Sequence, residues 1–175
     1  MHLYIDYITF GEYKLPILVS DRGLVYVGNI SGQVELLILN KFKKQACYEI
    51  IQNTCVTRNY VNQLNQYFLG QIMTFDFSID LLYGTAFQKE VWKALEEIPY
   101  GHTRSYSQIA QYLGKPKTVR PVATAIGTNP IAIVIPCHRV VGKNGNLTGY
   151  RGGLEMKRML LALEADKIKK KEDGL

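Results

Sequence analysis

The sequence, 175 residues long, is poor in cysteine and histidine, with three of each. Cys47, Cys55 and Cys137 are odd in number and widely spaced. That argues against a disulfide framework and points to a reducing compartment. There is no Cys-x-x-Cys pair and no grouping of histidine with cysteine, so no metal site is expected. No apolar run reaches the length of roughly 18 residues that a membrane-spanning helix needs. Nor does Met1 lead into a secretory signal, so a cytoplasmic protein is expected, with no membrane partner. What the chain does have is core material, with 47% apolar residues, and an excess of Lys and Arg over Asp and Glu that leaves a net charge of +6. Such a charge is compatible with a polyanionic partner without requiring one.

The first half reads as strands followed by helices. Residues 4–9 and 14–19 are rich in β-formers, Asp21-Arg22-Gly23 is a turn signal, and residues 24–27 make a third strand. An antiparallel meander is the expectation. Residues 34–45 have helical spacing, with Leu37 and Phe42 on one side and Lys41, Lys43 and Lys44 on the other. Val61, Leu64 and Phe68 mark a second amphipathic helix that ends at Gly70, and residues 73–77 read as one more strand. No catalytic grouping stands out, and Cys47 and Cys55 read as buried filler. Residues 1–80 are therefore taken as a supporting α/β domain.

Residues 78–84 read as a linker, after which the pattern changes. Thr85-Ala-Phe-Gln88 is a capping box, and behind it Phe87, Val91, Ala94 and Ile98 form an apolar stripe with Trp92 and Leu95 beside it. Pro99-Tyr100-Gly101 ends that helix. A second capping box, Ser105-Tyr-Ser-Gln108, starts a short helix that stops at Gly114. Thr118 is placed to cap the next helix, residues 119–127, with Pro121 in its first turn. Two short helices across a tight turn read as a helix-turn-helix, a unit that DNA-binding and other proteins share. The second of them carries Arg120 near its start, followed by small residues. A last helix, residues 154–165, follows Gly152-Gly153, with Glu164 beside its apolar face, where a partner such as His138 would suit it. Residues 167–175 read as a frayed, charged tail.

The chemistry concentrates at residues 135–141, Ile-Pro-Cys-His-Arg-Val-Val. Cys137 and His138 are adjacent, between an apolar segment, residues 131–135, and a turn-rich loop, residues 142–149. A thiolate is a strong nucleophile at neutral pH if its proton can be removed. On an extended chain neighbouring side chains point apart, so His138 could serve Cys137 only across a bend after Pro136 or through a water. From these residues alone an inert buried cysteine beside a surface histidine stays open.

Pro136-Cys137-His138-Arg139-Val140, preceded by Asn129-Pro130 and followed by Gly149-Tyr150, closely resembles the active site of the O6-alkylguanine-DNA alkyltransferases. The resemblance runs nearly continuously from Thr85 to Glu164 and includes Gly84-Thr-Ala-Phe-Gln, Ile98-Pro-Tyr-Gly and Arg104-Ser-Tyr-Ser. It implies a ribonuclease-H-like α/β domain over residues 1–80 and a mainly α, winged helix-turn-helix domain over residues 84–166. It also implies a monomeric, stand-alone repair protein without a cofactor. Its partner would be duplex DNA containing O6-alkylguanine, with O4-alkylthymine left open as a substrate. By the same resemblance, Cys137 accepts the alkyl group irreversibly, His138 deprotonates it through a water and Glu164 holds His138. Asn129 braces the turn at the cysteine, Tyr106 donates to guanine N3, and Arg120 fills the gap left by a flipped base. The Val140 carbonyl reads the guanine amino group, and Tyr150 and Arg151 lie in the loop over the base. Thr118 and Ala123 lie on the DNA side. Pro121 and Ala123 depart from the Ala and Gly that many relatives carry, which puts the DNA affinity in question. A non-catalytic alkylguanine-binding protein would lack Cys137, and a cysteine hydrolase would leave Arg120 and the helix-turn-helix without a task.

Overall fold

The computed structural model describes residues 2–28 and 48–173, and they fall into two compact units, residues 1–82 and 83–175. The helix expected over residues 34–45, and Cys47, lie outside the described residues.

In the first unit β1 (His2–Phe10), β2 (Tyr13–Ser20) and β3 (Gly23–Val27) form the expected antiparallel meander, in register from Tyr4 opposite Val19 and from Ile17 opposite Val27. A fourth strand, β4 (Glu49–Gln52), pairs parallel to β1 and completes a mixed sheet of order β3-β2-β1-β4. Four residues with two apolar positions carry too little alternation to announce a strand. The helix α1 (Thr54–Phe68) starts at Asn53, whose side chain accepts from the Cys55 amide, and buries Thr57, Leu64 and Tyr67. Phe68 stacks on Phe10 at 4.3 Å. Cys55, expected as buried filler, is exposed in the first turn of α1, because the buried face of that helix is set by Thr57, Leu64 and Tyr67.

Residues 73–77 are not a strand. Their alternation packs Phe75 on Tyr67 and Phe77 on Tyr60, with ring centroids at 5.3 and 4.8 Å. The Gln63 side chain takes the place of a neighbouring strand. It accepts from the Asp76 amide at 2.7 Å and donates to the Asp76 carbonyl at 3.2 Å. Part of the expected linker is also ordered: Leu24 bridges Ile79, and Asp80 accepts from Ser20 and Arg22.

The second unit contains α2 (Ala86–Glu96), β5 (Arg104–Ser105), α3 (Tyr106–Tyr112), α4 (Val119–Gly127), β6 (Val140–Val141) and α5 (Leu154–Asp173). Both capping boxes are present. Thr85 and Gln88 exchange hydrogen bonds at the start of α2, as do Ser105 and Gln108 at the start of α3. Val91, Ala94 and Ile98 of the stripe are buried, as are Trp92 and Leu95 beside it, while Phe87 in the first turn is only partly covered. Thr118 stands at the start of α4 but does not cap it, because its hydroxyl donates to the Lys115 carbonyl at 2.7 Å instead. The last helix runs two turns beyond the expected end, through residues read as a frayed tail. Among the described residues no helix is long and apolar enough to cross a membrane.

Candidate active site

The helix-turn-helix, α3 and α4, is locked onto α2. Trp92 Nε1 donates to the Ala125 carbonyl at 2.8 Å, and Gln88 Nε2 donates to Thr128 Oγ1 at 3.0 Å. Beyond α4 the chain turns at Asn129, a buried amide with all its groups used. Its Oδ1 accepts from the Ile131 amide at 3.0 Å, and its Nδ2 donates to the Ile135 carbonyl at 2.8 Å and to Cys137 Sγ at 3.0 Å. Residues 131–135 form a compact turn that buries its three isoleucines, with Ile133 in the left-handed region at φ 75°. That conformation is strained for a β-branched residue. The strain is held by the Asn129 bonds and by the burial of Ile131, Ile133 and Ile135.

A bend after Pro136, one of the two routes the sequence left open, exists. Cys137–Arg139 form a single 3-10 turn, so Cys137 and His138 do not point apart as on a strand. Cys137 is 7% exposed. His138 is fully buried, and its Nε2 lies 2.9 Å from Glu164 Oε1. Glu164 is fully buried too. It also accepts from Arg139 Nε at 3.1 Å, from the second guanidinium nitrogen at 2.8 Å and from the Gly101 amide at 2.9 Å. Burial alone would raise its pKa, but His138 and Arg139 hold it down at about 2. A carboxylate only accepts, so His138 Nε2 carries the hydrogen and Nδ1 is the basic nitrogen.

Burial pushes the Cys137 thiol up, and the Asn129 hydrogen bond with the nearby charges of Lys157 and Arg151 opposes it without prevailing. Burial likewise lowers His138 despite Glu164. At neutral pH the resting pair is therefore a thiol and a neutral imidazole. The sulfur is not a standing thiolate, which a buried site could hold only at high cost.

A cavity of about 640 Å³ opens between α4 and the loop before α5. Tyr106, Arg120 and Ala123 line one side, and Thr148, Tyr150 and Arg151 the other. Tyr150 lines this cavity with its hydroxyl buried, and the hydroxyl's pKa is pushed well up, by burial first and by Cys137 second. Gly152 makes that possible, since a Cβ there would stand 2.7 Å from the Tyr150 ring. Tyr106 Oη donates to the Thr148 carbonyl at 3.1 Å. Arg120 is exposed, with Pro121, at the start of α4. Thr118 lies outside this lining.

Two residues here escaped the sequence reading. Arg139 is buried, with its remaining guanidinium nitrogen donating to the Ile98 carbonyl at 2.7 Å. Lys157 is fully buried, and its Nζ donates to the carbonyls of Val140 at 2.6 Å and Thr148 at 2.9 Å. It ties the loop to the strand beside the cysteine and takes one lone pair of the Val140 carbonyl. The signal for Lys157 was its spacing, since residues 157, 160 and 164 fall at i, i+3 and i+7 on one helix face. Among the described residues no three His, Cys, Asp or Glu side chains are grouped to hold a metal ion.

The family description "6-O-methylguanine DNA methyltransferase, DNA binding domain" fits residues 86–166. The inducible methylated-DNA–protein-cysteine methyltransferase of Bacillus subtilis is 43% identical over 162 residues, which cover 93% of this chain and 90% of that one. The chain belongs to the methylated-DNA–protein-cysteine methyltransferase family. The Methanosarcina acetivorans member is 44% identical over 90% of this chain and 97% of its own. In structure, the Mycobacterium tuberculosis member crystallised in complex with DNA superposes with a TM-score of 0.79 at 38% identity, covering 95% of this chain and 94% of that one. Among methyltransferases of this family, then, both the α/β first unit and the helical second unit have counterparts along nearly the whole chain.

Proposed function

We propose that this chain repairs DNA by direct reversal, taking the alkyl group from guanine O6 in duplex DNA onto its own Cys137, once per molecule. One observation carries the reading. A buried thiol braced by Asn129 adjoins a His138–Glu164 pair, and Tyr150, whose hydroxyl is influenced by Cys137, lines a cavity bounded by the Arg120 helix. Membership of the family supports it, as does the DNA complex of the M. tuberculosis relative. The ribonuclease-H-like and winged helix-turn-helix descriptions belong to the same reading. The mixed sheet with α1 supports the first, and the α3–α4 pair with the short β5–β6 pairing supports the second. So does work in the cytoplasm beside DNA.

In this reading Arg120 enters the duplex as the damaged guanine leaves its stack, because a thiolate cannot reach O6 of a stacked base in line. Thr118 and Ala123 flank that contact. The base enters the cavity with Tyr106 Oη turned to N3, the second lone pair of the Val140 carbonyl on its amino group and the Tyr150-Arg151 loop over it. The Cys137 proton passes through a water to His138 Nδ1, and Glu164 stabilises the imidazolium that forms. Sulfur attacks the alkyl carbon, the carbon–O6 bond breaks with its electron pair on the purine, and the base is left as ordinary guanine after taking up a proton. The product at Cys137 is a thioether. Water does not cleave it, and nothing in the site could carry the group onward, so the reaction is stoichiometric.

The test is intact mass after incubation with duplex DNA containing O6-methylguanine. One added methyl per chain is expected, and none for Cys137→Ser, whose hydroxyl is far less acidic. Guanine restored with no gain in protein mass would overturn the reading.

A further inference from the structure

The second unit extends past the residues that the family description covers, and this extension touches the buried charges. Ile168 lies one helical turn after Glu164 on the same face of α5 and is half-buried. Its partner is Gly101, at φ 74°, in the turn that ends α2. A Cβ on Gly101 would stand 2.6 Å from Ile168 Cγ1 and 3.6 Å from the Glu164 carbonyl. The isoleucine therefore rests directly on the glycine backbone. The same glycine donates its amide to Glu164 Oε2, and Ile98, three residues earlier, accepts from Arg139. The turn of residues 98–101 is thus held from one side by the ionic network and from the other by Ile168.

We infer that Ile168 is a positioning residue for the alkyl transfer: it seats the Gly101 turn on the Glu164 carboxylate and keeps water out of the His138–Glu164–Arg139 network. This inference rests on the function read above. Without the seat, the Gly101 amide loosens from Glu164 and water reaches the carboxylate. The charged groups around His138 are Glu164 and Lys157 on α5 and Arg139 beside it, while Tyr100 on the turn faces Glu164 and Arg139. Burial is the largest cause lowering His138. Wetting the network relieves that burial, so the imidazole takes a proton at higher pH and is unavailable as a base over a wider range.

The chain has three histidines, so the imidazole signals of His138 can be followed individually by NMR as pH is varied. Ile168→Ala is the informative variant, because alanine is the better helix former and α5 itself is not weakened. Its His138 midpoint is expected to rise by about half a pH unit, about threefold in proton affinity. The acid limb of the single-turnover rate with O6-methylguanine DNA should move by the same amount. Ile168→Val keeps the branch on Gly101 and should restore most of both. An unchanged midpoint, or a shifted midpoint with an unchanged rate profile, overturns the inference. If the unaltered chain transfers no alkyl group, the proposed function fails while the His138 midpoint still reads the seat.

Discussion

Two kinds of charge serve the second unit, and they differ in where they sit. Arg139, Lys157 and Glu164 are buried, with the neutral His138 imidazole among them, each held by partners at hydrogen-bonding distance. Arg120 is exposed on α4, beside small residues. Burying an ion pair does not in general stabilise a fold more than apolar packing would, but breaking one leaves an uncompensated charge in the core. The buried group is therefore bound up with folding as well as with chemistry, and its members cannot be altered singly. The exposed arginine costs the free protein little and, in the proposed function, acts only when a duplex arrives. The contrast makes separable predictions.

The largest effect is expected at Glu164. Glu164→Ala strands Arg139 and removes the acceptor of His138 Nε2, so it should destabilise the fold by about 3–5 kcal/mol in urea unfolding. Thr57 in the first unit is equally buried and hydrogen-bonds Asp6. Thr57→Val keeps the shape and should cost about 1–3 kcal/mol, for an unpaired but solvent-reachable acceptor. Equal losses would mean that the network adds nothing beyond ordinary buried polarity.

Acid should find the same weakness. His138 and Glu164 both have folded pKa values below their ordinary ones, 6.5 and 4.5. Each then contributes stability that is full above its ordinary value and is lost as pH falls toward its folded value. The window opens below about pH 6.5 for His138 and runs from 4.5 down to about 2 for Glu164. Trp92, the single tryptophan, is buried in the second unit and reports its unfolding. The urea midpoint read from its fluorescence should fall steadily from pH 7 to pH 3. A flat midpoint over that range would break the link between buried charge and stability.

Much of this was legible in the sequence, and the exceptions have physical causes. Capping boxes are local, so Thr85-Gln88 and Ser105-Gln108 could be read from spacing. Glu164 could be placed near His138 because it adjoined an apolar face. Arg139 and Lys157 were missed because a charged side chain reads as solvated unless its partners are known, and those partners, the Glu164 carboxylate and Ile98 carbonyl for Arg139 and two loop carbonyls for Lys157, are brought close only by the fold. The alternation at residues 73–77 misled for a similar reason. Period-2 patterning marks a half-buried extended segment, but it does not show whether a strand or a glutamine side chain satisfies the backbone. Ile168 looked like part of a tail because the glycine beneath it is 67 positions earlier in the numbering.

The smallest expected effect on the free protein, and the most selective one, belongs to Arg120. Arg120→Ala removes an exposed side chain at the start of α4, so stability should stay within about 0.5 kcal/mol. If the arginine fills the vacated space in the duplex, it matters only when a base must leave a stack. Extrusion costs a few kcal/mol, so losing the group that offsets it should slow repair of duplex DNA about tenfold or more. A free base such as O6-benzylguanine has no stack to leave and should react at close to the unaltered rate. Tyr106→Phe should slow both substrates, because the bond proposed to guanine N3 helps the leaving base wherever it comes from. The measurement is a pair of single-turnover rates for each variant at one stated salt concentration, since DNA affinity depends on salt. If Arg120→Ala slows the free base as much as the duplex, the exposed charge supports the active-site fold after all, and the contrast between the two kinds of charge fails.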